Sequence, residues 1–596
     1  MIASCRSVLA LAVAAFAAVS SWAQTDTVTI IHVNDTHSTL SPISPRGSSL
    51  DGKRGGIARA ATVIGALRAT NPKALFLHAG DLSVGDIFYN VFFGVPEFRI
   101  LQSLGCRGMA VGNHEWDLTP AALLQSLDSA FVNDGQFPLL SANTILEAPA
   151  VQPLKKYIQS YTIEEAGGTR VGIFGLTTPE ANVLSSPSPA VIDTNIGRVT
   201  AAMVETLKVR GCSLIIALSH LGLHADQMIA AEVPGISAIV GGHDHYGLQS
   251  PIHVVNRRTG DTTWIVQANS FYLHVGALRL VRRQSRVHLL DYSLIAIDST
   301  VEKEPATEGL VASLVDEIES RYGPFFTRQI AASSGFFGEV ADSLTYAGHH
   351  DTPVGNLVSD AFRAMTGTTV SFEAGGSTAQ PIVSGPIVAD DLFRVVGYGF
   401  NMDNGLGYHL VRLDMAGGSL MQGLEFGLSG IELSDEYFLQ VSGLKYSYNP
   451  HAPVGSRLGA VTIAGSPIDP DRVYSVSANY FAKVYLDYLG IPYTNFHEYR
   501  GDTTEFKALT EYVRHLGTIS PSSGNRIFST PDEGSGGERP KKSLLKFDDS
   551  GSQGDDESSQ SSDERPGIGQ HAYRHRGNGA RPADGVHSTM PRQLCH

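Results

Sequence analysis

The chain has 596 residues, 42% hydrophobic and 17% charged, with a formal net charge of −15. Its length suggests two to four domains, and its apolar share supports cores of ordinary size. The acidic balance argues against broad binding to a nucleic-acid polymer through phosphate contacts, and four cysteines without a C-x-x-C pair exclude a disulfide framework and a thiolate zinc ribbon.

At the N-terminus, Arg6 precedes an apolar stretch from Val8 to Val19, followed by Ser21-Trp22-Ala23-Gln24. This is the layout of a secretory signal peptide, residues 1–23, cut after Ala23. The stretch is short for a bilayer span, and no later segment has the long apolar run of a transmembrane helix. The expectation is an exported protein, periplasmic or secreted. Cys5 leaves with the leader. Cys106 and Cys212 sit beside apolar runs and read as buried thiols, with a bridge between them left open.

From Thr27 to about Asp298 short apolar runs alternate with amphipathic stretches. The runs are "TVTIIHV", "KALFLHA", "RGMAVG", "RVGIFGL", "SLIIALS", "ISAIVGG" and "TWIVQA". Continuous apolar runs separated by helices such as "GGIARAATVIGALRAT" and "IGRVTAAMVETLKVRG" predict buried strands in a layered α/β domain, residues 24–303. The stretch "HVGALRLVRRQSRVHLLDYSLIAI" predicts a hairpin closing it. "TEGLVASLVDEIESRY", Thr307 to Tyr322, predicts a linker helix within residues 304–328. A smaller α+β domain follows over residues 329–530, with a helix at "GNLVSDAFRAMTG" and a strand in "DRVYSVSANYF". Residues 531–596, rich in Ser, Gly, Asp and Glu, then in Arg, His and Gly, bury too little apolar area to offset ordering entropy and predict a disordered tail.

The chemistry sits where the first-domain runs end. "IIHVNDTH" ends in Asp35 and His37, "LFLHAGD" in Asp81, and "AVGNHEWD" in Asn113, His114 and Asp117. "LIIALSHLG" ends in His220, and "IVGGHDH" in His243 and His245. The carboxyl ends of strands in α/β sheets converge on one edge, where ligands bind. On an extended segment His243 and His245 would point to one side and share one target. A lone histidine reads as a satisfied core residue, but donors ending five runs point to a site. Two carboxylates, an amide oxygen and four imidazoles exceed the needs of one tetrahedral ion and suit two divalent cations. The oxygen and nitrogen mixture favours Zn, Mn, Fe or Co, and paired metals are a device for displacement at phosphorus.

The series D-x-H, G-D, G-N-H-E, a later H, and G-G-H-x-H resembles the calcineurin-like metallophosphoesterases. The forms "NDTH", "GNHEWD" and "GGHDH", with a second domain, make the chain similar to the 5'-nucleotidase family over nearly all of residues 26 to 529. The resemblance implies a metallophosphoesterase sandwich, a linker helix and a 5'-nucleotidase-type substrate domain. It implies one cation (Zn, Mn or Co) held by Asp35, His37, Asp81 and His245, and a second held by Asp81, Asn113, His220 and His243. It also implies a catalytic pair, His114 with Asp117. Asp244 is expected to point away from the ions, and His78 and His224 match no ligand position.

In the second domain "TPVGNLVSDAF", "GLKYSYNPHAPVGSRL" and "PIDPDRVYSVSANYF" resemble the family, but the usual N-G-G-G-I-R reads "AGGSTA", with Ala374 and Ala379 at the Asn and Arg positions. The usual G-G-D-G-[FY] reads "YLDYL", which keeps Asp487. Tyr398 in "GYGF" is the candidate for one face of a base clamp; the other falls at Leu489, with Tyr485 and Tyr488 close by. An alanine cannot replace arginine's bidentate donor. The expected small-molecule substrate is therefore a phosphoester, a nucleotide by resemblance. The alternatives are a 2',3'-cyclic nucleotide, a UDP-sugar, a sulfur ester, or a binding protein without turnover.

Overall fold

A computed structural model describes residues 27–132, 136–283, 286–341, 349–432, 435–523 and 526–530. The leader and the C-terminal tail read from the sequence lie outside the described residues. The seven apolar runs are all strands. Thr27–Val33, Leu75–His78 and Cys106–Ala110 lie side by side and parallel in a seven-stranded sheet. Thr169–Thr177, Leu214–His220, Ala238–Val240 and Thr262–Val266 form the parallel centre of a six-stranded sheet.

The two sheets pack face to face, and their side chains sort with the two-residue period of a strand. Val28 and Ile30, Leu75 and Leu77, and Leu214, Ile216 and Leu218 fill the layer between the sheets. Ile31, Val33 and Phe76 point outward to a helical layer, as do Ile215 and Ala217 on the other side. Burial on both faces is why these strands read as unbroken apolar runs. The helices Ile57–Thr70 and Ile196–Val209 supply outer cover, the second capped by Asn195, whose side chain accepts from the Arg198 amide at 3.2 Å. His274–Arg283 and Arg286–Ala296 form the expected hairpin, paired antiparallel beside Thr27–Val33.

The helix Pro305–Tyr322 begins at Glu304, whose carboxylate accepts from the Ala306 and Thr307 amides. Val311, Leu314 and Ile318 bury its inner face in the core cluster that also holds Ile57, Ile64, Phe88, Val354, Phe393 and Leu509. It is therefore a packed element between the halves, not a free spacer. Beyond it lie a five-stranded sheet (order Leu439–Ser442, Val370–Ala374, Val473–Asn479, Leu410–Ala416, Thr494–Glu498), smaller sheets and the helices Pro353–Thr366, Gly417–Gly427, Tyr480–Leu489 and Glu505–Leu516. The α+β reading holds. Cys106 and Cys212 are free and lie in different core clusters, so the bridge left open by the sequence does not form.

Polar contacts lock the seam between the halves. Arg394 is 1% exposed; its Nε meets Asp86 Oδ2 at 2.6 Å and its Nη2 meets Asp390 Oδ2 at 2.8 Å. Arg46 donates twice to Asp391, each at 2.8 Å. The Gly85 amide donates to the Gly397 carbonyl, and Asn90 Nδ2 to the Gly399 and Gly405 carbonyls. Removing one member of a buried ion pair leaves a charge without water or partner. Arg394→Ala is therefore expected to cost about 3–5 kcal/mol, read as a lowered urea midpoint; an unchanged midpoint would show that the cluster does not hold the seam.

Candidate metal centre

Because the donor-bearing strands run parallel within each sheet, their carboxyl ends reach one edge of the sandwich. The donors collect there in two groups. Asp35, His37 and His245 offer ligand atoms within 4.8 Å of one another, and so do Asp81, His220 and His243. His243 and His245 thus serve different groups, as the family resemblance implied and contrary to the same-side expectation for an extended segment. Both residues have left-handed backbone, φ 90° and 57°, which turns the imidazoles apart. Asp35, His37 and Asp81 are left-handed too, at φ 49°, 47° and 55°. This conformation is costly for non-glycine residues, and such strain gathers at functional sites.

Glycines make the close approach possible. A Cβ on Gly112 would lie 2.1 Å from Asp81 Oδ1, and one on Gly80 would lie 2.5 Å from His220 Nδ1. Hydrogen bonds set each donor's direction. His220 Nδ1 lies 2.8 Å from the Ala79 carbonyl, an acceptor only, and its Nε2 lies 2.8 Å from Asp81 Oδ2. The His114 amide donates to Asp81 Oδ1 at 3.0 Å, and the His243 amide to Asp35.

Two observations test whether cations fit. His37 Nε2 and His245 Nε2 face each other at 3.1 Å, a separation natural only with a proton or a cation shared between them. Asn113 is 4% exposed, and its Oδ1 is buried without a hydrogen-bond partner, although buried polar atoms are nearly always paired. An oxygen and nitrogen donor set of this kind suits divalent cations.

His114 Nδ1 lies 2.7 Å from Asp117 Oδ2. Burial pushes its pKa down, but the Asp117 and Asp81 carboxylates outweigh it and raise it to about 9. In Asp35 burial dominates, with Asp81 adding repulsion against the opposing His220, and the pKa rises to about 7. Burial also acts upward on Asp81, yet His220 and His114 hold it well below the ordinary range.

Tyr398, from the C-terminal half, stacks on His114 with centroids 4.6 Å apart and lies 5.4 Å from His37. Asp487 and Tyr488 are not drawn into these contacts. Asp487 binds Lys483 and Tyr493, and Tyr488 is 75% exposed. The helix Tyr480–Leu489 instead directs Tyr485 inward, its hydroxyl donating to the Val183 carbonyl at 3.3 Å, and Phe481 stacks on Tyr408. Asp244 accepts from the Leu223 amide and from Gln267 Nε2 at 2.7 Å, away from the cluster. His78 is satisfied by Thr36 and the Gly80 amide, and His224 is exposed.

Sequence reasoning passed over Glu115, Glu180 and Glu436. Glu115 is 1% exposed and accepts from the amides of Asp81, Leu82, Ser83 and Gly112 at 2.7–3.1 Å. It clamps two ligand loops together. The signal was its place inside "GNHE". Glu180 and Glu436 meet His243 as a third group; only "TTPE" at a strand end hinted at the former.

The sequence model of the calcineurin-like phosphoesterases matches residues 28–247, and that of the 5'-nucleotidase C-terminal domain matches residues 333–484. The chain is 25% identical over 535 residues to a 5'-nucleotidase of Diplobatis ommata, covering 84% of this chain and 89% of the relative. It is 26% identical to a snake venom 5'-nucleotidase of Naja atra, covering 84% and 98%. The solved structure of a 5'-nucleotidase precursor from Thermus thermophilus superposes with a TM-score of 0.73 at 27% identity, covering 84% and 99%.

Glu115→Ala would strand four buried amide donors, each costing about 1–3 kcal/mol. Unfolding in urea is expected to come at a clearly lower midpoint, with Glu115→Gln in between because its amide oxygen still accepts. Equal midpoints for all three proteins would contradict the clamp.

Proposed function

The chain belongs to the calcineurin-like phosphoesterases that carry a 5'-nucleotidase C-terminal domain, and on that footing we propose an exported two-cation enzyme that hydrolyses nucleotide phosphomonoesters. The convergence of Asp35, His37 and His245 beside Asp81, His220 and His243, with the orphaned Asn113 oxygen, carries this reading. One cation would be held by Asp35, His37, Asp81 and His245, the other by Asp81, Asn113, His220 and His243, with Asp81 shared. When bound, such ions acidify water near neutral pH and neutralise charge on phosphoryl oxygens.

The remaining work falls to the chain. Asp117 accepts the Nδ1–H of His114, which fixes the ring and leaves the Nε2–H to be offered to a phosphoryl or leaving oxygen. The charge on His114 is favoured by the two neighbouring carboxylates. Tyr398 covers the His114 ring and narrows the approach of water from that side. Tyr398, Tyr408, Phe481 and Tyr485 are the aromatic groups offered to the leaving group. Asp487 and Tyr488 belong to the outer side of the same helix and take no part in this arrangement.

One observation favours a second reading of the substrate. Ala379 is buried with its amide bonded to the Val395 carbonyl, and behind Ala374 the Glu373 carboxylate accepts from Asn479 at 3.0 Å. With alanine at both positions this turn offers neither a carboxamide nor a guanidinium to a leaving group, so a 2',3'-cyclic nucleotide, a UDP-sugar or a sulfur ester is the alternative. The leader at residues 1–23 supports export, and among the described residues no helix is long and apolar enough to cross a membrane.

The test is a panel of nucleoside monophosphates, cyclic nucleotides, nucleotide sugars and aryl phosphates with Mn²⁺ or Zn²⁺. Hydrolysis is expected to vanish in EDTA and return with metal; no metal-dependent turnover of any ester would leave the binding-protein reading. His114→Ala is expected to lower kcat by about 100-fold or more while metal content by mass spectrometry stays at two equivalents. Loss of metal in that variant would make His114 a ligand. Asp81→Asn is expected to deplete both cations, and full occupancy would refute sharing.

A further inference from the structure

Strand order brings three donors together from one sheet. Thr177 is opposite His220 in the register of Thr169–Thr177 with Leu214–His220, and Ala238–Val240 is the next strand along. The loop leaving Thr177 therefore emerges beside His220 and places Glu180 against His243, with Glu180 Oε2 2.9 Å from His243 Nε2. From the C-terminal half a second carboxylate, Glu436, joins the same group, all ligand atoms lying within 4.8 Å. Its loop is pinned to the 374–377 turn, since the Gly376 amide donates to the Glu436 carbonyl at 3.0 Å.

A neutral imidazole has one N–H and one lone pair, and a carboxylate accepts only. With Nε2–H given to Glu180, the lone pair of His243 is on Nδ1, the other end of the ring. Carboxylates that orient metal-bound histidines in this way set both tautomer and ring direction, and their loss typically weakens metal binding by about 10–100-fold. We propose that Glu180, with Glu436 beside it, is a positioning residue for the second cation site: it holds the Nε2–H of His243 so that Nδ1 is free for the cation shared with Asp81, Asn113 and His220. The inference rests on the two-cation reading above. It adds that the C-terminal half contributes a carboxylate to the order of the metal centre, 193 residues along the chain from His243 (436 − 243).

A third cation between Glu180, Glu436 and Nε2 is the competing arrangement. It would require His243 to give a lone pair at both nitrogens at once, which demands an imidazolate, the neutral ring with its one N–H proton removed. The positioning role asks only for the ordinary neutral form.

Titration of the metal-free protein with Co²⁺, followed by calorimetry and visible absorption, separates these cases without reference to turnover. The wild type is expected to take up two equivalents. Glu180→Ala combined with Glu436→Ala is expected to keep the first and to weaken the second by about 10–100-fold, with an altered cobalt spectrum for that site. Glu180→Gln, whose amide oxygen still accepts the Nε2–H, is expected to stay within about threefold of wild type, below the usual loss on removing such a partner. The Glu180 side chain is 48% exposed, so a thermal melt near that of the wild type is expected for Glu180→Gln. A double variant that binds both equivalents like the wild type overturns the positioning role alone. A third equivalent in the wild type, lost in the double variant, overturns it in favour of a cation site. Fewer than two equivalents in the wild type would instead sink the two-cation reading itself.

Discussion

A cluster of buried carboxylates and imidazoles has no tendency to assemble by itself. Each group loses hydration, like groups repel, and His37 and His245 turn their Nε2 atoms toward each other at 3.1 Å. What holds them is the backbone behind them. Parallel strands fix where each loop begins, glycines at 80 and 112 let loops touch, and Glu115 gathers four amides from two of those loops. The left-handed residues Asp35, His37, Asp81, His243 and His245 show where that scaffold stores strain. The rest of the centre depends on this constraint, because divalent ions stabilise the cluster only if its geometry is already set.

The second constraint is the seam. One hydrophobic cluster runs from the sandwich helices through Pro305–Tyr322 into the C-terminal half. Buried ion pairs of Arg394 and Arg46 cross it, and so does the Gly85–Gly397 backbone bond. Gly397 adjoins Tyr398, so the seam delivers that ring onto His114. The placement of the aromatic wall is thus a consequence of seam packing and not of local preference.

These features divide the labour at the cleft. The sandwich supplies the groups suited to hold cations and a proton donor. The C-terminal half supplies rings at Tyr398, Tyr408, Phe481 and Tyr485 and an acid at Glu436, with alanine at positions 374 and 379. The candidate cation ligands therefore come from one half and the aromatic rings beside them from the other.

Much of this was legible in the chain itself. Strands buried on both faces are mostly apolar along their length, so seven runs announced seven strands, and the acids, amide and imidazoles that end five of them announced a site at one edge. What the sequence hid was partnership. His243 and His245, two residues apart, part because their φ angles are positive, which an extended reading does not anticipate. Asp487 retained a family position, yet it faces Lys483 and Tyr493, while Tyr485, two residues earlier, faces inward. Glu115 and Glu180 stand inside or beside strand-end motifs, but nothing local marked what they would hold. Composition and periodicity determine which residues enter strands and which chemistry lies at their ends, since those follow from burial and local geometry. The division of the donors into two groups followed from the family resemblance and not from composition or periodicity, and which acid receives whose proton was decided only by the packing of loops remote in sequence, because hydrogen-bond direction is set by backbone that no local pattern encodes.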